Sequence, residues 1–371
     1  MRVLHRKLLR DLWGNKGVLL SVLAIISVGT GSFIGLGSAQ RTLEVSQQTY
    51  YNDYRFGDFW VEVKKAPLTA VERVAELPGV AAVEARVIFD VILDIPEVPR
   101  PLNGRLISAP ERGFANRING VHIVRGSGFS PDRDNEVILG DAFARAHRLE
   151  PGDRIHLILN RKREAFVIVG TAISPEYVYQ VRGGTDLSPD PEHFAILYVK
   201  ERYAREVLDF KDACNQIVGR LVPGSAASVD LLLERIDRVL EPYGVLSSIP
   251  RERQASHRFL SDEIHGLYIS SFITPTIFLL VAALVLDIVM GRLADRQRTI
   301  IGTLKALGYS DRAVLGHYLS FGVIIGLLGG IGGIVIGFVL TRAMIQVYTI
   351  FFQFPTFLYQ YDPLRILIGV G

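Results

Sequence analysis

Three acidic side chains form the pattern in this sequence that comes nearest to a cation site. Asp132, Asp134 and Glu136 occupy alternate positions, and alternating carboxylates are typical of calcium-binding loops. The segment lacks the glycine and the closing glutamate that such a loop requires. The acids are therefore expected to form a solvated turn before a strand over residues 136–139, and not a metal site.

The other side chains that could carry catalysis are not arranged for it. The sequence contains no G-x-x-x-x-G-K-[ST] phosphate-binding loop, no H-E-x-x-H zinc motif and no G-x-S-x-G nucleophile elbow. Its eight histidines are scattered, and its one cysteine, Cys214, excludes an intramolecular disulfide. Cys214 is expected to be a small buried apolar side chain. No catalytic residue, metal or cofactor is assigned, and the protein is predicted not to be an enzyme.

Basic residues are concentrated in one short segment, residues 291–310. The segment carries four basic residues against one acid, Asp295, and lies between uncharged runs at residues 266–286 and 318–341. Each run has the roughly 20 apolar residues needed to cross a bilayer. Short basic segments between spans remain in the cytoplasm, so residues 291–310 are predicted to form a cytoplasmic loop. Charge alone is equally consistent with a solvated loop that has no partner.

This loop carries the pattern of a short amphipathic helix. Its apolar residues recur at helical spacing and share one face, namely Ile300, Ile301, Leu304 and Leu307. Arg298, Gly302 and Lys305 fall on another face. Gly308 can end the helix in the left-handed conformation, and Ser310 can cap the next helix at its N-terminus. A short turn of fixed geometry is therefore predicted between the two helices.

The same loop resembles a motif of a known family. Residues 301–310, Ile-Gly-Thr-Leu-Lys-Ala-Leu-Gly-Tyr-Ser, are similar to the I-G-x-L-K-A-L-G-x-S motif of FtsX-like ABC transporter permeases, which include the MacB-type exporters. Family members usually carry Glu or Gln where this chain has Ile300. In that family the loop is the coupling helix that docks on a cytoplasmic ATPase. The resemblance therefore implies ATPase contacts for Arg296, Arg298, Ile301, Gly302, Leu304, Lys305, Ala306, Leu307 and Gly308.

Composition indicates a membrane protein with one large soluble domain. The chain has 371 residues, of which 49% are hydrophobic and 21% charged, too apolar for a typical soluble protein and too charged to lie wholly in a membrane. A net charge of +3 and the lack of a DNA-binding module argue against a nucleic-acid partner. The predicted fold is an α-helical transmembrane bundle with a large mixed α/β extracytoplasmic domain inserted between the first two spans.

The predicted order of segments follows from the uncharged runs and the basic loops. It is a cytoplasmic amphipathic helix at 1–16, a span at 17–40, the extracytoplasmic α/β domain with its two stalks at 41–263, a second span at 264–290, the coupling helix at 291–312, a third span at 313–342, an extracytoplasmic aromatic loop at 343–362 and the start of a fourth span at 363–371. The N-terminus is expected in the cytoplasm and the protein in the cell membrane. Because the fourth helix has only eight residues after Asp362 and Pro363, its N-cap and first residue, the chain is expected to be cut short.

Alternation of strand-like and helix-like runs describes the large domain. Residues 59–65, 79–93 and 163–174 are among the predicted strands, and residues 68–77 and 228–244 among the helices.

In the spans, small residues four apart predict close helix packing. These are Gly31 and Gly35 in the first span, and Gly322, Gly326 and Gly330 with Gly329, Gly333 and Gly337 in the third.

The resemblance implies the membrane subunit of an ABC transporter, which couples ATP hydrolysis by a separate ATPase subunit to movement of the outer domain. It further implies a second permease copy or half, the lipid bilayer, and in some family members a periplasmic adaptor as partners. Two other functions are consistent with a span, a domain and a span: a transmembrane sensor with a ligand-binding outer domain, and a membrane-anchored hydrolase. The first is disfavoured because only about twenty residues separate the second and third spans, and the second lacks any nucleophile or metal arrangement.

Overall fold

The computed structural model describes residues 16–95, 102–182, 188–224 and 229–370. The chain divides into two compact units. A helical unit contains the described residues up to Val45, Glu263–Tyr348 and the residues from Phe357 onward. An α/β unit contains Ser46–Asp262 and Thr349–Thr356. The amphipathic helix predicted for residues 1–16 lies outside the described residues except for Lys16.

Helices and strands alternate through the described residues as follows. The helices are α1 (Lys16–Asp53), α2 (Leu68–Ala75), α3 (Asp141–Ala146), α4 (Glu201–Val207), α5 (Val229–Leu240), α6 (Ala255–Arg296), α7 (Arg298–Ala306), α8 (Asp311–Phe351) and α9 (Pro363–Val370). The strands are β1 (Phe59–Pro67), β2 (Val80–Arg86), β3 (Ile88–Asp94), β4 (Leu102–Ala109), β5 (His122–Gly126), β6 (Glu136–Gly140), β7 (Arg154–Leu159), β8 (Lys162–Ile173), β9 (Phe194–Lys200), β10 (Ala213–Leu221) and β11 (Val245–Pro250).

Within the described residues, three helices are long and apolar enough to cross a membrane: α1, α6 and α8. At 1.5 Å per residue, the 38 residues of α1 and the 42 residues of α6 extend about 57 and 63 Å. A hydrocarbon core is only about 30 Å thick. Both helices therefore continue well past their apolar stretches.

The segment after the third span differs from its prediction. Residues 343–362 are predicted as an aromatic loop, but α8 continues as helix to Phe351. No proline or glycine interrupts residues 343–351, so the helix has no local reason to end before the approach to Pro355. Past the helix, the backbone N–H of Gln353 donates to the carbonyl oxygen of Val178 at 2.8 Å. Residues 349–356 thus belong to the α/β unit, which the sequence pattern does not indicate.

Helix α9 begins as predicted. The Asp362 side chain accepts a hydrogen bond from the backbone N–H of Leu364 at 2.9 Å. Pro363 is the first helical residue, where its missing N–H costs no helical hydrogen bond. The predicted cap is confirmed.

The larger sheet of the α/β unit has seven strands in the order β5-β8-β6-β9-β4-β3-β7. β8 is 12 residues long, and it pairs with β7 along its first half and with β6 along its second half. These two pairings close six of the seven strands into a ring. Apolar side chains fill its interior and contact α3 and α4, among them Leu106, Leu139, Leu157, Phe166 and Leu197.

The smaller sheet is antiparallel, in the order β11-β1-β10-β2. Helices α2 and α5 cover one face of it, where Val61 of β1 packs in one cluster with Val74 and Ile236. Cys214 lies in this core and is fully buried. Burial raises the pKa of its thiol to about 11, so the expectation of a small buried apolar side chain is confirmed.

The run over residues 79–93 is wrongly predicted as one strand. It forms β2 and β3, which lie in different sheets and are separated by Val87. The backbone N–H of Val87 donates to the Ser108 hydroxyl at 2.9 Å. Periodicity identifies extended chain but not the sheet it enters, and for the same reason the partners of β11 could not be predicted.

Residues 41–265, produced alone, are expected to be soluble and to fold without metal or disulfide. The reason is that each sheet encloses its own apolar core, which a domain of this length can bury. Far-ultraviolet circular dichroism should show mixed α/β structure and one cooperative thermal transition. A disordered spectrum would refute this boundary. A synthetic peptide of residues 349–356, added to this domain, should raise the transition temperature, because that segment contacts Val178 and Tyr179.

Candidate functional site

A joint of one residue, Gln297, separates helix α7 from α6. Its backbone N–H donates to the Leu293 carbonyl, and its carbonyl accepts from the Ile301 N–H. The Gln297 side chain is only 9% exposed and accepts a hydrogen bond from the Tyr318 hydroxyl at 2.8 Å. Tyr318 belongs to α8, so the start of α7 is fixed to the helix that follows it. The sequence pattern singles out neither Gln297 nor Tyr318.

The end of α7 has a well-defined cap. Gly308 has φ of +89°, a left-handed conformation that glycine adopts without steric cost. The N–H groups of Gly308 and Tyr309 donate to the carbonyls of Lys305 and Leu304 at 3.0 and 3.1 Å, the hydrogen-bond pattern of a Schellman cap. The Ser310 hydroxyl then accepts from the Ala313 N–H at 3.3 Å. The predicted turn is confirmed.

The side chains of α7 are presented outward. Ile300 is 44% exposed and Leu307 is 72% exposed. Ile301 and Leu304 are half-buried, while Arg296, Arg298 and Ala306 are exposed. No described atom lies within 4 Å of a methyl group built on Gly302. Lys305 forms an ion pair with Asp311 at 2.6 Å.

A compact apolar cluster lies next to the joint at Gln297 and joins three helices. It joins Leu19 and Val22 of α1, Leu293 of α6, and Phe321 and Ile325 of α8. These side chains are at most 7% exposed. Tyr318, the partner of Gln297, packs against this cluster. Because close-packed side chains transmit displacement with little give, a displacement at Gln297 reaches three helices together.

One row of glycines on α8 forms the contact with α1. Methyl groups built on Gly333 and Gly337 would lie 2.5 Å from Cβ of Thr30 and 2.8 Å from Cβ of Ile34. From the other side, a methyl group on Gly31 would lie 2.6 Å from Cγ2 of Ile336. Both helices therefore need small residues here, and the expectation of close packing at Gly31 and Gly35 is confirmed.

The other predicted row is placed differently. Gly330 is buried, but a methyl group on Gly322 would approach only Leu286, at 3.8 Å. None of the described atoms lies within 4 Å of a methyl group built on Gly326. Within the described chain, no other helix packs closely on Gly322 and Gly326, and their part in helix packing stays a prediction. Both rows have glycines four residues apart. That spacing alone therefore cannot show against which row another helix packs.

Arg365 of α9 lies among the aromatic side chains of the helical unit. Its guanidinium carbon is 5.6 Å from the ring centre of Phe33 and 5.4 Å from that of Phe272. Nη1 donates to the Ser271 hydroxyl at 3.2 Å, and a methyl group on Gly37 would overlap the guanidinium. Arg365 thus connects α9 with α1 and α6. A charged residue in a span is a signal that could have identified it from the sequence.

A buried ion pair lies in the α/β unit. Arg86 makes two hydrogen bonds to the Glu176 carboxylate, at 2.8 and 2.9 Å. Glu176 also accepts from the Trp60 indole at 2.8 Å and the Asn119 amide at 3.2 Å. Both charged residues are less than 10% exposed. Burial lowers the pKa of Arg86, but Glu176, Tyr177 and Tyr198 together raise it by more, so the net pKa is raised.

The three alternating acids are not one solvated turn. Asp132 and Asp134 are exposed, but Glu136 is 2% exposed and begins β6. Its carboxylate accepts hydrogen bonds from the backbone N–H and the hydroxyl of Ser130, at 2.7 and 2.6 Å, and lies 3.7 Å from the Lys200 ammonium. The prediction is therefore wrong for Glu136, because a buried amine and backbone donors stabilise the carboxylate there.

Two family models match the chain. The model described as MacB-like periplasmic core domain matches residues 18–238, and the model described as FtsX-like permease C-terminal matches residues 272–371. The first alone covers more than half of the chain. The chain belongs to the FtsX-like permease family with a MacB-like periplasmic core domain. In this permease the α/β unit is the extracytoplasmic domain, called the outer domain from here on.

Solved structures similar to the permease include two outer regions of transporters. The periplasmic region of MacB from Actinobacillus actinomycetemcomitans is 11% identical, with a TM-score of 0.34, over 56% of this chain and 92% of that chain. The extracellular domain of the ABC-type transporter YknZ from Gram-positive bacteria is 12% identical, with a TM-score of 0.34, over 51% of this chain and 99% of that chain. No curated protein sequence matches the permease.

The family establishes the general class of the protein. It is a membrane protein of an ABC transporter permease family, in which apolar helices flank a mixed α/β extracytoplasmic domain. The motif at residues 301–310 lies within the matched FtsX-like region, on α7 and its cap.

Proposed function

We propose that this permease couples ATP hydrolysis by a separate cytoplasmic ATPase subunit to movement of its outer domain, for export or extraction of a substrate. Helix α7 is the docking element, contacted by the ATPase at Arg296, Arg298, Ile301, Gly302, Leu304, Lys305, Ala306, Leu307 and Gly308. The permease itself is not an enzyme and binds no cofactor, and a second permease copy or half completes the transporter.

The observation that carries this proposal is the exposure of α7 on a rigid base. Large apolar side chains such as Leu307 are not covered by the described chain, although both ends of the helix are fixed by Gln297 and Gly308. A merely solvated loop gains nothing from an exposed apolar face. A partner that covers this face would push on α6 through the backbone hydrogen bonds of Gln297, and on α8 through the hydrogen bond from Tyr318 to Gln297. The long helices α1 and α6 then carry the movement outward.

Reversing the charge of Lys305 is expected to weaken capture of the ATPase encoded beside this chain. A cation near the apolar face of α7 favours an acidic groove on the partner, which Glu at this position would repel. Co-purification from detergent-solubilised membranes should fall at least about tenfold for Lys305→Glu at low salt. Undiminished capture would show that Lys305 is not part of the interface with the ATPase.

The ion pair with Asp311 provides the matched control for that test. Asp311→Asn also breaks the Lys305–Asp311 pair, but it keeps the cation. Because an exposed pair contributes about 0–1 kcal/mol, this variant should capture the ATPase normally. If Asp311→Asn is as defective as Lys305→Glu, the defect lies in the turn and not in docking.

The proposed topology places Lys16 and Lys305 in the cytoplasm, and Lys64 and Gln353 outside. The short segments beside the spans are basic on one side of the membrane only. Single cysteines at these four positions, in a chain with Cys214 replaced, should react with a membrane-impermeant maleimide in intact cells only at 64 and 353. Labelling at 305 from outside would exclude contact between α7 and a cytoplasmic ATPase.

A further inference from the structure

A cavity of about 300 Å³ lies in the outer domain, on the face of the smaller sheet that α2 and α5 do not cover. Trp60 and Glu62 of β1 form its floor. Cross-strand neighbours extend this floor, since Ile249 of β11 lies opposite Trp60, and Ser247 lies opposite Glu62. Side chains alternate along a strand, so these residues face away from the apolar core around Val61.

The wall of the cavity comes from Arg105 of β4 and from the segment that follows β8. That segment contributes Tyr177, Val181 and Arg182. Arg105 donates from Nε to Asp90 at 3.0 Å, and Arg182 lies 3.5 Å from the same carboxylate. Burial lowers the pKa of Arg105, but Tyr177 and Asp90 raise it by more, so the net pKa is raised and the group stays charged.

The charges of the cavity are of both signs and lie on different elements. The described lining contains three guanidinium groups, from Arg105, Arg182 and Arg253, and two carboxylates, from Glu62 and Glu176. Glu176 is already matched by Arg86 at 2.8 Å. Glu62 is exposed and accepts one long hydrogen bond, at 3.4 Å, from Gln216.

Between these charges the lining is mixed, with polar groups from Gln216, Ser247, Gln254 and Ser256 beside an apolar part. Trp60, which is only 3% exposed, borders the cavity together with the aliphatic side chains of Val181 and Ile249. Cavities from roughly 300 Å³ upward, with apolar walls and a few polar groups that fix orientation, are typical of small-molecule sites. Guanidinium groups bind carboxylates in a fixed geometry, and a carboxylate such as Glu62 binds ammonium groups.

We propose that this cavity binds a small zwitterion with an apolar side chain, an α-amino acid or a short peptide. Arg105 and Arg182 hold the ligand carboxylate, and Glu62 holds its ammonium group. The side chain of the ligand lies against Trp60 and Ile249. A plain anion is disfavoured because Glu62 would repel it, and a plain cation because the arginines would. The site is independent of the ATPase coupling proposed above, because binding is measured on the permease alone.

Trp60 provides a direct reporter of this site. The 371 residues contain two tryptophans, so Trp13→Phe in a protein of these residues, purified in detergent, leaves Trp60 alone. Titration with L-leucine and with leucyl-leucine is expected to change the Trp60 fluorescence saturably, and isothermal titration calorimetry should give the same affinity. The tighter of the two identifies the ligand as an amino acid or a peptide. N-acetyl-leucine and leucinamide each lack one charge and should bind about tenfold more weakly or worse.

Two variants locate the ligand within the cavity. Glu62→Gln should weaken leucine about tenfold but strengthen N-acetyl-leucine, because it removes a repelling carboxylate. Arg182→Gln should weaken both leucine and N-acetyl-leucine but not leucinamide. Both side chains are well exposed, so neither variant removes a core contact. Glu72→Gln, an exposed residue of α2 away from the cavity, is the matched control and should change no affinity.

Three results would overturn the proposal. The first is the absence of saturable binding of leucine and leucyl-leucine up to about 10 mM, by fluorescence and by calorimetry. The second is equal affinity for leucine, N-acetyl-leucine and leucinamide, which would describe an apolar crevice without charge recognition. The third is binding that Glu62→Gln and Arg182→Gln leave unchanged, which would place the ligand elsewhere on the permease.

Discussion

Replacing Arg86 by methionine is expected to lower the free energy of unfolding of the outer domain by about 3–5 kcal/mol. Arg86 supplies two of the hydrogen bonds to the Glu176 carboxylate, and Glu176 is only 4% exposed. Methionine has a similar volume but no charge, so the variant leaves a buried carboxylate without its counter-ion. Urea unfolding of residues 41–265, followed by far-ultraviolet circular dichroism, measures the loss.

A double variant shows whether the lost stability comes from the unpaired Glu176 carboxylate or from lost packing around residue 86. Arg86→Met with Glu176→Gln removes both charges, and Gln can still accept from Trp60 and Asn119, which now donate to Glu176. At least half of the lost stability should return. Recovery is expected because replacing both partners of a buried pair is often close to neutral. If the double variant is as unstable as Arg86→Met, or if Arg86→Met alone loses less than about 1 kcal/mol, the Arg86–Glu176 ion pair does not stabilise the outer domain.

The elements of this protein were largely predictable from its sequence, because they depend on local patterns. Uncharged runs identified α1, α6 and α8. Gly308 and Ser310 identified the turn after α7, since caps involve residues only a few positions apart. The boundary at Phe351 was missed because the aromatic residues before it are compatible with either a helix or an interfacial loop.

The contacts that assemble these elements were not predictable, since they join distant residues. Arg86 pairs with Glu176 across 90 positions, and Gln297 meets Tyr318 across 21. Nothing in the local pattern around Val87 shows that the chain leaves one sheet for another. The cavity floored by Trp60 and Glu62 combines both sheets, so its charges could not be grouped before the topology was known.

Substituting Gly302 by leucine is expected to abolish transport while leaving membrane insertion and the fold of the outer domain intact. No described atom lies within 4 Å of a methyl group built at this position, so the permease itself has room for the side chain. A partner that approaches the backbone of α7 closely has no such room. In a solvated loop without a partner, the same change should be neutral or stabilise the helix by about 1 kcal/mol. The two hypotheses therefore predict opposite signs.

The decisive measurement compares Gly302→Leu with Gly316→Leu. Gly316 is also a helical, exposed glycine with no described atom within 4 Å of an added methyl group, but it lies on α8, outside the motif of residues 301–310. Both variants gain the same helix propensity. Only Gly302→Leu should lose ATPase capture and transport, and Gly302→Ala, with its smaller side chain, should show an intermediate defect. Normal transport and ATPase capture by Gly302→Leu would show that α7 is not the coupling helix, because docking there cannot tolerate four added carbon atoms against the partner's surface.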